Sequence, residues 1–295
     1  MLSVRTFFNS LLVSLSIIAL PLPISQPIQA QTPNLGYQEI EKLQQQALQQ
    51  TQQGQSQQAL YTLQKLLQLA QQLRNRKIEL GALLGIGLNY KNIGQLQQAL
   101  KYYNRALLIS RELRYQLGEA GILNDIGELY ASIGQPQKAL EYLNQALPIF
   151  REIRYRLGEA ITLHNIGLVY STIRQPQKAL DYYNQVLSIS REVCDRSREA
   201  WTLNNIGEIY STIGQTQKSL DYFNRALQIF RAVGDKEGET TTLNNISAVH
   251  DPIEQQRKSL KYFSRPSISV GSPAVSTNKK LENSHQMLHF SNEDA

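Results

Sequence analysis

A period of 40 residues constrains the fold of this chain more than any other feature of its sequence. Gap-free blocks of this length begin at Leu117, Leu157 and Ser197. In each block an isoleucine, a glycine, a tyrosine and a Lys-Ala-Leu or Lys-Ser-Leu motif return at the same positions. The period extends back to Lys77 and, more faintly, to Tyr37, and it extends forward to Glu237 before it decays. Such self-similarity is typical of repeat architectures, in which each unit stacks on its neighbours.

Within each unit the apolar residues recur three and four positions apart, which is the period of an amphipathic helix. Each unit has one interruption in this pattern. In the unit that begins at Leu117 it lies at Gly134-Gln135-Pro136, where a glycine typical of a helix end is followed by a proline that suits the first position of the next helix. This unit is therefore predicted to form two antiparallel helices, at about residues 117–133 and 136–154. Because neither helix can bury its apolar face alone, the sequence predicts an all-α fold, a right-handed α-solenoid of antiparallel helix pairs.

The repeats resemble the tetratricopeptide repeat family. The matching small-residue and aromatic positions are Gly127, Ala139, Ala146 and Tyr130. Leu123 stands where the family usually has tryptophan, and the unit is longer than the family's common form. It is similar to the long repeats of kinesin light chains and LGN-type polarity adaptors, and to bacterial, often cyanobacterial, arrays that precede a caspase-like CHAT protease domain. The resemblance covers residues 37–265 and implies a superhelix that binds proteins.

Residues 1–30 have the layout of a secretory signal peptide. Arg5 is their single charged residue, an apolar stretch runs from Leu11 to Leu20, and prolines break the helix before Ala30. We therefore predict cleavage after Ala30 and a periplasmic or secreted mature chain with no membrane span. The alternative is an uncleaved N-terminal membrane anchor, although the apolar stretch is short for a bilayer span.

The rest of the sequence divides according to the regularity of its repeats. The predicted divisions are a linker at 31–36, a glutamine-rich capping repeat at 37–76, four regular repeats at 77–236, a degenerate final repeat at 237–265 and a disordered tail at 266–295. A polar interaction surface is the alternative interpretation of the glutamine-rich repeat. Pro266 falls inside the final helical pattern, so the last helix is predicted to end near Arg265.

The composition argues against catalysis and against a metal site. A single cysteine excludes a disulfide framework and any metal site that needs two thiolates, and only four histidines are present. Cys194 falls in a column of inter-repeat turns, while His285 and His289 lack a third ligand. The glycines occupy helix ends and helix-packing columns and form no phosphate-binding loop. We expect no enzyme activity, no metal and no cofactor.

The formal net charge of +6 permits a nucleic-acid or anionic partner without requiring one. An arginine stripe near the ends of the second helices is interleaved with glutamates, which weaken a polyanion site. Its members are Arg111, Arg151, Arg191 and Arg231. Arginine at these positions favourably complements the helix dipole, so we expect no nucleic-acid partner.

Polar side chains interrupt the apolar face of each first helix, where core packing would not place them. In the resembled family the first helices line a concave groove, and an amide can hold an extended peptide backbone through its donor and its acceptor. The predicted groove residues are Asn124, Asp125, His164, Asn165, Asn204, Asn205, Asn244 and Asn245, with His164, Glu128 and Glu208 tuning ligand preference. The alternative is that the asparagines bond to neighbouring helices and order the stack.

Taken together, the sequence predicts an exported, non-catalytic scaffold that binds a protein or an extended peptide of unidentified sequence in its groove. Two alternatives stay open. One is the sensor array of a CHAT protease-like effector that has lost its catalytic domain. The other is an assembly protein that associates with itself through its open final repeat.

Overall fold

The computed structural model describes the backbone of residues 35–263 and the side chains of residues 37–250. The predicted signal peptide and tail therefore lie outside the described residues. Within them the chain forms eleven α-helices and no strand. The helices are α1 Leu35–Gln52, α2 Ser56–Gln72, α3 Arg76–Asn92, α4 Leu96–Glu112, α5 Gln116–Ser132, α6 Pro136–Glu152, α7 Arg156–Thr172, α8 Pro176–Glu192, α9 Arg196–Thr212, α10 Thr216–Val233 and α11 Lys236–Phe263. The predicted all-α solenoid of helix pairs is confirmed.

Each helix from α1 to α10 ends at a residue in the left-handed conformation. After α5 this residue is Gly134, with a φ of 74°, and the next amide, that of Gln135, bonds to the carbonyl of Tyr130 at 2.8 Å. This hydrogen bond closes the turn between the two helices, and it pairs a carbonyl group that would otherwise lack a partner at the helix end. The same turn follows α8 at Cys194, which is exposed and has a φ of 54°. The inter-repeat turn predicted for Cys194 is thus confirmed.

Within a unit the two helices approach closely because a glycine of the first faces a large side chain of the second. A Cβ atom on Gly127 of α5 would lie 2.7 Å from Cγ of Leu143 on α6. Ala139 and Ala146 on the same face of α6 are completely buried. These are the small-residue positions on which the family resemblance rested, so the motif residues act by setting the distance between helices.

First helices are more deeply buried than second helices, as the long run of buried residues in α5 shows beside the shorter set in α6. From α1 to α10 successive helices pack against one another along the chain, and two first helices, α5 and α7, also contact each other. The described residues up to Asp251 form one compact unit, and a second begins at Pro252.

Helix α11 differs from the pattern of the preceding units. The period predicts a helix pair after Glu237, whereas α11 runs without a break from Lys236 to Phe263 and passes through Pro252. Glu254 stands at the position where Gly134 and Gly214 end the equivalent helices. The left-handed turn that a glycine or, after α7, Arg174 forms at this position is replaced by continuous helix in α11.

Candidate functional site

The structure sorts the ten predicted groove residues by accessibility, although all of them lie on first helices. Five are buried, namely Asn124, Asp125, Glu128, Asn165 and Asn204. Three are half-buried, namely His164, Asn205 and Asn245, and two are exposed, namely Asn244 and Glu208. The buried and the accessible members therefore face different surroundings.

Asn124 joins two successive units. Its side-chain carbonyl accepts a hydrogen bond from the Thr162 hydroxyl at 3.2 Å and another from the Asn165 amide at 3.1 Å. Both donors lie on α7, in the next unit. Because all three groups are buried, the bonds satisfy polar atoms that would otherwise be costly to remove from water.

The same arrangement returns two units further along the chain. The side-chain carbonyl of Asn204 accepts from the Thr242 hydroxyl at 3.1 Å and from the Asn245 amide at 3.2 Å. Here the network includes a carboxylate. Oε1 of Glu208 accepts from the amide of Asn204 at 3.0 Å and from that of Asn245 at 2.9 Å.

The unit between these two networks is built differently. His164 occupies the column of Asn124 and Asn204, and its ring lies 5.4 Å from that of Tyr183, measured between centroids. Burial, with a smaller contribution from the charge of Arg198, lowers the pKa of His164 to about 4. A neutral imidazole therefore interrupts the amide column, and the network of Asn124 returns at Asn204 but not in the unit between them.

Glu128 and Glu208 share a column but differ in their electrostatic surroundings. Nζ of Lys91 lies 2.7 Å from Oε1 of Glu128, and each side chain is 11% exposed. For Glu208, desolvation raises the pKa above its ordinary value, although hydrogen bonds from Asn245 and Asn204 act in the opposite direction. One carboxylate is thus neutralised within the chain, while the other is held by amides alone among the interactions of the described side chains.

Sequence reasoning missed three residues that take part in these contacts. They are Lys91, Thr162 and Thr242. The two threonines could have been found, because each stands three residues before an asparagine at the position of Asn165 and follows a unit with an asparagine at the position of Asn124. Thr202, which follows the unit of His164, bonds to the carbonyl of Arg198 at 2.7 Å, and Thr162 has the equivalent bond to the carbonyl of Gly158 at 3.0 Å in addition to its contact with Asn124.

The repeat matches a known family model. Residues 78–152, 118–192 and 195–265 each match the model of the tetratricopeptide repeat. The chain belongs to the tetratricopeptide repeat family. No curated protein matches it in sequence.

Solved tetratricopeptide repeat structures resemble the chain in fold. BtubC from P. vanneervenii superposes with a TM-score of 0.59 at 19% identity, covering 75% of this chain and 97% of that one. Aspartyl phosphate phosphatase F from Bacillus subtilis gives a TM-score of 0.69 at 16% identity, over 78% and 60% of the two chains. NprR in complex with its cognate peptide NprX gives 0.55 at 18% identity, over 88% and 70%. At these identities the likeness establishes the fold.

None of the helices in the described part of the chain is both long and apolar enough to cross a membrane.

Proposed function

We propose that this tetratricopeptide repeat protein is a non-catalytic scaffold that binds an extended segment of a protein or peptide along its first helices. The observation that carries the proposal is a set of accessible polar side chains on the first helices α9 and α11, beside a buried amide network. Asn244 and Glu208 are exposed and Asn205 is half-buried, and the amides of Asn204 and Asn245 hold the Glu208 carboxylate. A group fixed in this way loses little conformational freedom on binding.

The buried asparagines have a different role in this proposal. Asn124 and Asn204 direct their side-chain carbonyls at the next unit, so they order the stack rather than contact a ligand. Asn165 is also committed to that bond. Ligand contact is assigned to the accessible members of the predicted set, with His164 and Glu208 selecting among ligands. NprR, which has a similar fold, was solved with its cognate peptide, and this supports a peptide as the ligand.

We further propose that the protein acts outside the cytoplasm. The proposal rests on the layout of residues 1–30, with one charged residue followed by an apolar stretch and a proline-rich end. Peptide mapping of the mature N-terminus in the source organism tests it, and a chain that begins at Met1 in the cytoplasmic fraction would contradict it.

Peptide display tests the groove. The full chain is screened against a random library of extended peptides, and selected peptides are titrated by fluorescence anisotropy. The variant Asn205→Ala/Asn244→Ala should bind them about tenfold more weakly, equivalent to about 1.4 kcal/mol. A matched control is Asn184→Ala/Asn224→Ala, which removes two exposed amides from second helices and should leave binding unchanged. Equal weakening by both pairs, or by neither, would contradict groove binding.

A further inference from the structure

Glu128 and Glu208 are equivalent residues of two equivalent sites. They lie 80 residues apart, each four residues after an asparagine, Asn124 or Asn204, that accepts bonds from the next unit. Burial raises the pKa of Tyr103 and of Tyr183 on the preceding second helices, and the charges of Asp125 and Glu128 in the first case and of Glu208 in the second add to that effect. The chain thus places a glutamate at the same position twice, beside Asp125 in the first copy and beside Asn205 in the second.

The first copy of the site contains its own cation. Lys91 reaches Glu128 from the first helix of the preceding unit, and the two groups pair at 2.7 Å in nearly buried surroundings. This shows that the site accommodates an ammonium group at hydrogen-bonding distance from the carboxylate. It also shows that such a cation arrives from the side of the preceding unit.

The second copy lacks that cation. The residue equivalent to Lys91 is Ser171, which is half-buried and carries no charge. Within the described part of the chain no lysine or arginine forms an ion pair with Glu208, and both amides that bond to Glu208 approach the same oxygen, Oε1. The second carboxylate oxygen of Glu208 is therefore available to a ligand, as is the position that corresponds to the ammonium group of Lys91 at Glu128.

We propose that Glu208 is a cation-binding subsite, which receives a lysine or arginine side chain of the bound peptide in the place that Lys91 takes at Glu128. The inference rests on the proposed function and names the chemistry of its ligand. A charge-assisted hydrogen bond is roughly twice as strong as a neutral one, and a cation offsets the desolvation of the carboxylate. The amides of Asn204 and Asn245 fix the carboxylate before the ligand arrives.

The probe is the same random peptide library, sequenced after selection on four forms of the full chain. Wild type should enrich lysine or arginine at one peptide position. Glu208→Gln, which keeps shape and loses charge, and Ser171→Lys, which supplies the cation from within, should both abolish the enrichment. Glu141→Gln, an exposed carboxylate on a second helix, should preserve it.

Titration of one selected peptide gives the magnitude. Replacing its cationic residue by norleucine should weaken binding to wild type about tenfold and leave binding to Glu208→Gln unchanged. Two results would overturn the subsite while leaving peptide binding intact. Either the peptides selected on wild type show no preference for lysine or arginine, or that preference is still present on both Glu208→Gln and Ser171→Lys. Retention of no peptide by wild type would overturn the proposed function as well.

Discussion

The side-chain amide of Asn165 donates a hydrogen bond to the side-chain carbonyl of Asn124, 3.1 Å away across the junction between two successive repeats. The hydroxyl of Thr162 bonds to the same oxygen. Each polar atom satisfies another that packing has removed from water, so the junction contributes to the order of the stack as well as to its stability.

Replacing Asn124 by alanine should lower the free energy of unfolding by about 1–3 kcal/mol. The substitution leaves the buried Asn165 amide without this acceptor, whereas the Thr162 hydroxyl keeps the carbonyl of Gly158 at 3.0 Å. Asn244, in the same column, is exposed, and its change to alanine should cost less than about 0.5 kcal/mol. Urea unfolding measures both. Equal effects would show that the network contributes nothing to stability.

Helix positions follow directly from the sequence because their signals are local. The pair predicted at about 117–133 and 136–154 is observed at Gln116–Ser132 and Pro136–Glu152. Apolar spacing fixes the buried face, and Gly134 with Pro136 fixes the turn. The helix pair predicted after Glu237 is not observed, because α11 continues through Pro252 to Phe263.

The candidate site was predictable in position but not in connectivity. A 40-residue period places Asn124 and Asn165 on first helices, yet it gives every unit the same role. Whether an amide faces a ligand or a neighbour depends on contacts between units, and those differ where His164 replaces asparagine. Lys91 pairs with Glu128 across 37 residues, and the period brings their helices together without indicating which side chains meet.

Alanine at Gly207 should destabilise the fold by about 1–3 kcal/mol. Its Cβ would lie 2.7 Å from the ring of Phe223, which is fully buried and has little room to move. Gly81 is the matched control, because a Cβ there meets nothing within 4 Å. Gly81→Ala should stabilise α3 by about 0.5–1 kcal/mol through helix propensity. Thermal melting distinguishes the two, and a loss of stability in both would contradict the packing argument.

Glycine at Arg174 should stabilise the protein by about 0.5–1 kcal/mol. Arg174 ends α7 with a φ of 56°, a conformation that costs free energy for a residue with a side chain. Gly134 and Gly214 occupy the same position one unit before and one unit after. Arg105→Gly, inside α4, should instead destabilise by about 1 kcal/mol. A decrease in melting temperature for Arg174→Gly would show that another contact of the arginine outweighs its backbone strain.

Replacing Lys91 alone should lower the free energy of unfolding more than replacing both members of the Lys91–Glu128 ion pair. Lys91→Met leaves the Glu128 carboxylate nearly buried without its cation, which should cost about 3 kcal/mol. Lys91→Met/Glu128→Gln should recover most of that loss, since the carboxylate that Lys91 neutralises is removed with it. Chemical unfolding of the two single variants and the double variant gives the coupling. A double variant no more stable than Lys91→Met would contradict a buried, mutually neutralising pair.

His164 should make the protein less stable as the pH falls from about 6.5 to about 4. The pKa of His164 in the folded protein is lowered to about 4, whereas in the unfolded chain it is expected near 6.5. Over this interval the unfolded chain binds the additional proton, so unfolding becomes more favourable as the pH falls. His164→Asn, which restores the residue of the neighbouring networks, should flatten this part of the profile. Urea midpoints at pH 7 and pH 4.5 test the difference, and parallel losses in wild type and His164→Asn would mean that protonation of other groups dominates.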